Sequence, residues 1–313
     1  VMIALLLLPL ALPFALPALA RRALDRLAPV TVLWAVTASA IVLAGCSLAA
    51  FGTFVLIGLL KLPPFAALGE LVHSLHTASD DFVVPAAALS VGVLAVCAGT
   101  FVRSVLRQAR AFRVARMQAG RGPAVGDLCV VDSPHPDAYA LPGRPHRIVV
   151  TTAMLRSLDA AEREALFAHE RAHNKGGHHY FLAAAELAAH CHPALRPVRA
   201  TVRLAVERAA DETAADSVGD RRLLARAIAR AALAMHPARP DRPDFAPAAT
   251  AGPVPQRVQA LLSGAAAPPR RVARWIALVL AACAAVSCVA SAAGLIDVHH
   301  QVEVAQGEGG DWF

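Results

Sequence analysis

Charge is what this chain has little of. Asp, Glu, Lys and Arg make up 17% of its 313 residues and hydrophobic residues 57%, whereas a soluble domain carries roughly 25% charged and 45–50% apolar residues. That balance excludes an ordinary soluble protein and implies membrane spans. Lysine is nearly missing, with two against 28 arginines. Beside so much alanine this reads as codon bias, so the net charge of +7 is no argument for nucleic-acid binding, and none is expected. The six cysteines form no Cys-x-x-Cys pair, which excludes a cysteine metal or redox motif; they read as apolar filler.

What the chain does have is four long uncharged stretches, Val1–Ala20, Val30–Leu60, Phe82–Val102 and Trp275–Ile296. Each is long enough for a helix to cross a hydrocarbon core, which takes about 20 residues. The first ends in Ala18-Leu19-Ala20 like a cleaved secretory signal but lacks the basic leading region, so it reads as a span, kinked at Pro9, Pro13 and Pro17. Of the 30 basic residues, 26 lie between Arg103 and Arg274. Arg21, Arg22 and Arg26 follow the first stretch, Lys61 is alone in its loop, and none follows Trp275. The positive-inside rule then gives a multi-pass cell-membrane protein with four spans, both termini external and a cytoplasmic insert between spans three and four. Its parts are three spans over 1–102 (about 1–20, 30–60 and 82–102), a domain over 103–274, a fourth span over 275–296 and a short external tail over 297–313. Arg103, Arg107, Arg110, Arg113 and Arg116 directly follow a span and read as anchors at the anionic headgroups of the lipid bilayer.

Within the insert, Leu128–Val131, Ala138–Leu141 and Arg147–Thr151 read as short strands, the last two joined across Pro142-Gly143-Arg144-Pro145. From about Met154 the pattern is helical. The fold class is therefore mainly α: a four-span helical membrane protein carrying a cytoplasmic α+β domain. Pro237–Pro255, with six prolines, reads as a flexible linker.

The chemistry is concentrated in His169-Glu170-Arg171-Ala172-His173. Two histidines four apart on a helix share a face and can grip one zinc ion, with Glu170 beside any water on that metal. The helix is written locally: Asp159 and Glu162 form a capping box, Ala165, Leu166, Ala168 and Ala172 recur at helical spacing, and Gly176-Gly177 ends it. A catalytic zinc site needs a third protein ligand. Glu207, 34 residues after His173, is the choice, on a helix expected from Ala194 to about Ser217. Asp211 follows one turn later, on the same face, placed to accept the free ring N–H of a ligand histidine. Asp211, Glu212, Asp216, His178 and His179 are rival ligands, whereas His190 and His192, flanking Cys191 before Pro193, read as a helix break.

These residues together, His169 to His173 and then Glu207-Arg208-Ala209-Ala210-Asp211 in a domain between spans, resemble the BlaR/MecR-type integral membrane zinc metallopeptidases, relatives of the HtpX and CaaX-processing peptidases. The likeness runs over about residues 103 to 296 and includes Ala140-Leu141-Pro142-Gly143 and Arg257-Val258-Gln259-Ala260-Leu261-Leu262. It implies a zincin-like fold of the gluzincin type with one Zn2+ per chain held by His169, His173 and Glu207. It also implies Glu170 as general base and the hairpin near Ala138–Thr151 as the edge that aligns a substrate. Antibiotic-sensing members carry a large penicillin-binding domain after the fourth span, which Asp297–Phe313 is too short to form.

The expected activity is metalloendopeptidase cleavage of a cytoplasmic or membrane-proximal protein, a DNA-binding repressor in a signalling pathway being the favoured partner. Quality control of membrane proteins, as in HtpX-like enzymes, is the alternative. A non-enzymatic zinc-binding receptor is a third reading, against which the intact Glu170 argues, since a structural site needs no base. Tyr180, His178 and Arg257 are candidates to stabilise a transition-state oxyanion. The topology is testable directly: reporter fusions at Leu68 and at the C-terminus should read external and one at Ala124 cytoplasmic, and an internal C-terminus would undo the four-span arrangement.

Overall fold

The fold was analysed in a computed structural model that describes residues 2–62, 64, 80–121, 124–235, 253–264 and 270–306. The helices are α1 (Met2–Ala11), α2 (Leu16–Arg26), α3 (Pro29–Leu60), α4 (Asp80–Arg121), α5 (Thr152–Ser157), α6 (Ala160–Lys175), α7 (His178–Cys191), α8 (Val198–Val218), α9 (Arg221–Ala234), α10 (Val254–Ser263) and α11 (Arg270–Gln306). The strands are β1 (Ala124–Val125), β2 (Leu128–Val131), β3 (Ala138–Leu141) and β4 (Arg147–Thr151).

Three helices, α3, α4 and α11, are long and apolar enough to cross a membrane, and α1 with α2 adds a fourth if that bent pair is one span. The first stretch, expected as a proline-kinked span over 1–20, is a bent pair of helices that reaches Arg26. A 3-10 turn at Leu12–Phe14 separates α1 from α2, which diverge by 42°, because Pro13 and Pro17 lack the N–H groups that a continuous helix would bond. α2 then packs Leu16, Ala20 and Ala23 into a core shared with α3, α7 and α8. The basic stretch after span three, expected as a juxtamembrane helix up to about Gly120, continues that span without a break: α4 runs for 42 residues, about 63 Å at helical rise. Likewise α11 continues to Gln306, so the first half of the expected tail is helical and the rest lies outside the described residues. Of the expected linker, 236–252 lies outside the described residues, while Val254 and Pro255 already belong to α10.

The sheet has the order β1-β2-β4-β3. β2 and β4 are parallel, with Cys129 opposite Val149, and β3 returns antiparallel to β4, with Ala140 opposite Ile148. Alternation assigns the two faces. Cys129, Tyr139, Leu141 and Val149 pack on Ala115 and Ala119 at the end of α4, while Ala138 and Val150 pack on Met154, Leu166 and Phe167. The sheet is thereby clamped between the extended span helix and α6.

α6 begins as expected. The Asp159 carboxylate accepts from the Glu162 N–H at 2.9 Å, and the Glu162 carboxylate accepts from the Asp159 N–H at 3.0 Å. Glu162 is fully buried and also accepts from Arg226 at 3.2 Å and Arg230 at 2.8 Å, which ties the start of α6 to α9. Replacing Glu162 by alanine removes the return half of the capping box and this tie together, while the Asp159 cap on the backbone N–H remains. Thermal melting of the purified protein should show a midpoint lowered by about 5 °C, and an unchanged midpoint would show that the tie contributes nothing.

Candidate active site

α6 presents His169 and His173 towards α8, where Glu207 and Asp211 stand one turn apart. One donor atom from each of His169, His173 and Glu207 lies within 4.8 Å of the others. The two Nε2 atoms are 2.9 Å apart, and Glu207 Oε2 is 3.5 Å from that of His169 and 3.7 Å from that of His173. The other ring nitrogens are held from behind. His169 Nδ1 is 3.0 Å from Asp211 Oδ1, and His173 Nδ1 is 2.9 Å from His178 Nδ1. A carboxylate can only accept, so His169 Nδ1 carries a hydrogen and its Nε2 faces the cluster. One hydrogen is shared between His173 Nδ1 and His178 Nδ1, which holds the two rings edge to edge.

Arg257 completes the arrangement. Its Nε and Nη2 donate to Asp211 at 2.8 and 2.6 Å, and its Nη1 lies 3.1 Å from Glu207 Oε2. α10 is seated for this by Leu261, buried against α6, α8 and α9, and by Arg221, which donates to the Leu261 carbonyl at 3.1 Å while pairing with Glu212 at 2.7 Å. His169, Glu170, Glu207 and Arg257 are all 0% exposed.

Burial shapes the electrostatics. It disfavours the charged form of His169, but the Asp211 and Glu207 carboxylates outweigh it and raise the pKa to about 9. His173 has weaker compensation, and burial pushes it down to about 4; burial likewise pushes His178 down to about 3. For Glu207 and Asp211 burial favours protonation, yet the Arg257 guanidinium prevails and holds both below the usual carboxylate range.

The donor set fits a zinc ion. Two imidazole Nε2 atoms and a carboxylate oxygen converge in one buried pocket, and Glu207 Oε1 is buried without a hydrogen-bond donor. The two Nε2 atoms, 2.9 Å apart, share one proton in the metal-free protein, and a bound cation would take the place of that proton. Glu170, next to His169 on α6, is buried and close enough to Arg257 to strengthen its positive form.

The remaining candidates are placed elsewhere. Glu212 pairs with Arg221, Asp216 is exposed, and His179 stacks on Tyr180 at 4.0 Å. Tyr180 is 71% exposed because it lies two residues beyond the buried His178, on the other side of α7. It is therefore not brought to the site as an oxyanion donor. His178 and Arg257 do reach the site, but their bonds go to His173, Asp211 and Glu207 in place of a substrate oxygen. His192 accepts from the Ala194 N–H at 3.2 Å and starts the 3-10 turn Pro193–Leu195, so the expected break is present and α8 begins at Val198, later than the expected Ala194. Gly177, at φ 60°, allows the tight α6–α7 turn that returns His178 to the site.

Residues 107–195 match peptidase family M48, a segment from the basic part of α4 to the turn before α8. It contains His169, Glu170 and His173, stops short of Glu207, and supports a metallopeptidase of that zinc-dependent family. No curated protein and no solved structure matches the chain.

Metal analysis tests the donor set. Zinc near one equivalent should fall sharply in His169→Ala, His173→Ala and Glu207→Ala, whereas Asp211→Asn should weaken affinity by about 10- to 100-fold without abolishing it. The sign of the pH dependence follows from His169. With a pKa of about 9 it holds a proton at neutral pH that zinc must displace, so affinity should climb as pH rises towards 9 and flatten above it. Full zinc retention in Glu207→Ala would move the third ligand elsewhere.

Proposed function

We propose that this protein is a membrane-bound zinc metalloendopeptidase of the HExxH gluzincin type, with His169, His173 and Glu207 as ligands and Glu170 as general base. The observation that carries the reading is the convergence of three buried donor atoms within 4.8 Å, with a carboxylic acid next to them in sequence that is not one of the three. A structural zinc site has no use for such a group.

Zinc, when bound there, would supply a Lewis acid that lowers the pKa of a water towards neutrality. Glu170 would be the group that takes a proton from the attacking water and hands it to the leaving nitrogen. Asp211 holds His169 in its tautomer, His178 shares a hydrogen with His173, and Arg257 keeps Asp211 and Glu207 ionised.

The BlaR/MecR likeness rests on the spans around the domain. Its sidedness and its client, whether a cytoplasmic repressor or a membrane protein under quality control, belong to this proposal. One feature favours clients at the membrane surface. α7 and α8 pack directly on α3, and the His190 ring lies 6.4 Å from that of Phe101 at the end of the apolar part of α4, which puts the end of α7 beside that apolar stretch.

Glu170→Gln separates enzyme from receptor. The variant should keep its fold, membrane insertion and zinc while losing about 10² to 10⁴-fold or more of its turnover. Comparing cells expressing wild type and variant should reveal a protein that accumulates only with the variant. A DNA-binding protein would mark signalling, and misfolded membrane proteins would mark quality control. A variant that keeps zinc and every wild-type phenotype would establish the receptor reading instead.

A further inference from the structure

Where α3 meets α11, Cys46 Sγ lies 3.8 Å from Cys288 Sγ. The two residues are 242 positions apart in the chain, so no local spacing pairs them, and in sequence they read as filler. Their neighbours are small: Ala44 and Ser47 on α3, and Ser287 and Ala290 on α11, are at most 4% exposed. Small side chains let two helices approach until their cysteines meet. Other thiols are engaged differently. Cys97 directs its thiol to the Cys191 carbonyl at 3.6 Å, and Cys129 receives Arg147 Nη1 at 3.3 Å.

The pair is asymmetric. Cys46 is 8% exposed whereas Cys288 is open, so a reagent meets Cys288 first and Cys46 stands behind it. Forming a bond between the two sulfurs closes their separation by about 1.8 Å, a change of the size that side-chain rotation supplies. Both sulfurs lie well inside uncharged stretches, Cys46 16 residues after Val30 and Cys288 13 residues after Trp275, about 24 and 20 Å of helix rise. A reagent that reaches them dissolves in the hydrocarbon of a membrane, which charged glutathione does not.

We propose that Cys46 and Cys288 form a reversible dithiol that lipid hydroperoxides oxidise. The Cys288 sulfur attacks the terminal peroxide oxygen, the O–O bond breaks, and the thiol proton goes to the departing alkoxide, leaving a sulfenic acid and an alcohol. The Cys46 sulfur then attacks that of Cys288. The S–S bond forms, the S–O bond breaks, and the hydroxyl leaves with the Cys46 proton as water. The thiol pair loses two electrons and the peroxide gains them. The new bond would join α11 to α3, whose first half shares a core with α7 and α8. The site is separate from the zinc ligands and does not depend on the peptidase reading.

The test exposes the purified full-length protein, in phosphatidylcholine vesicles, to cumene hydroperoxide, then denatures and alkylates it for mass spectrometry. Wild type should lose two alkylatable thiols, yield a peptide pair cross-linked between Cys46 and Cys288, and recover both thiols with dithiothreitol. Cys288 should react at least about tenfold faster than the buried Cys129. In Cys46→Ser the sulfenic acid should persist on Cys288 and be trapped by dimedone, whereas in Cys288→Ser Cys46 should stay reduced. Cross-linking should survive Cys283→Ser, which removes the other cysteine of α11. The wild-type readout stands whether or not the variants fold. Two thiols that stay alkylatable, Cys288 oxidised without the cross-link, a cross-link to another cysteine, or oxidation of Cys46 without Cys288 would each overturn the proposal.

Discussion

The buried guanidinium of Arg257 is the group on which the rest of the centre depends. Two carboxylates and two ligand histidines are packed where water does not reach, and isolated buried charges of that kind cost several kcal/mol each. Arg257 bonds Asp211 through two nitrogens and approaches Glu207 with the third, so both acids stay ionised without solvent. The charge then passes outward, since an ionised Asp211 orients His169 and an ionised Glu207 is a competent ligand. Truncating Arg257 would leave two like charges uncompensated, which is far costlier than losing one surface ion pair.

This makes α10 part of the site although it contributes no ligand. Its Arg257 lies 50 residues beyond Glu207 in the chain, and the helix is held by Leu261 in the core with α6, α8 and α9. The ties of Arg221 to Glu212 and to the Leu261 carbonyl couple three helices at the end of the site away from the membrane. Glu162 couples α6 and α9 on another side. The cluster is thus held by polar ties between helices whose faces are largely alanine and therefore approach closely.

The membrane portion is continuous with this domain. α4 carries an apolar span at one end and one wall of the sheet at the other, while α2 and the first half of α3 share a core with α7 and α8. A displacement of the spans therefore reaches the ligand helices through packed side chains. Glu170 and the donor residues are all fully or almost fully buried, and the helices that carry them are packed directly on those long enough to span a membrane.

Much of this was legible in sequence because it is local. The capping box at Asp159 and Glu162, the i, i+4 placement of His169 and His173, the Glu207–Asp211 turn and the three short strands each depend on residues a few positions apart, where helix and strand periods decide which side chains share a face. The uncharged runs likewise announced the long helices. Partners across the fold were not legible. That Arg257 grips Asp211, that His178 backs His173 instead of competing for metal, and that Tyr180 turns outward were decided by how α6, α7, α8 and α10 pack. Spacing along a chain sets the direction of a side chain on its own element; only tertiary packing sets what it meets there.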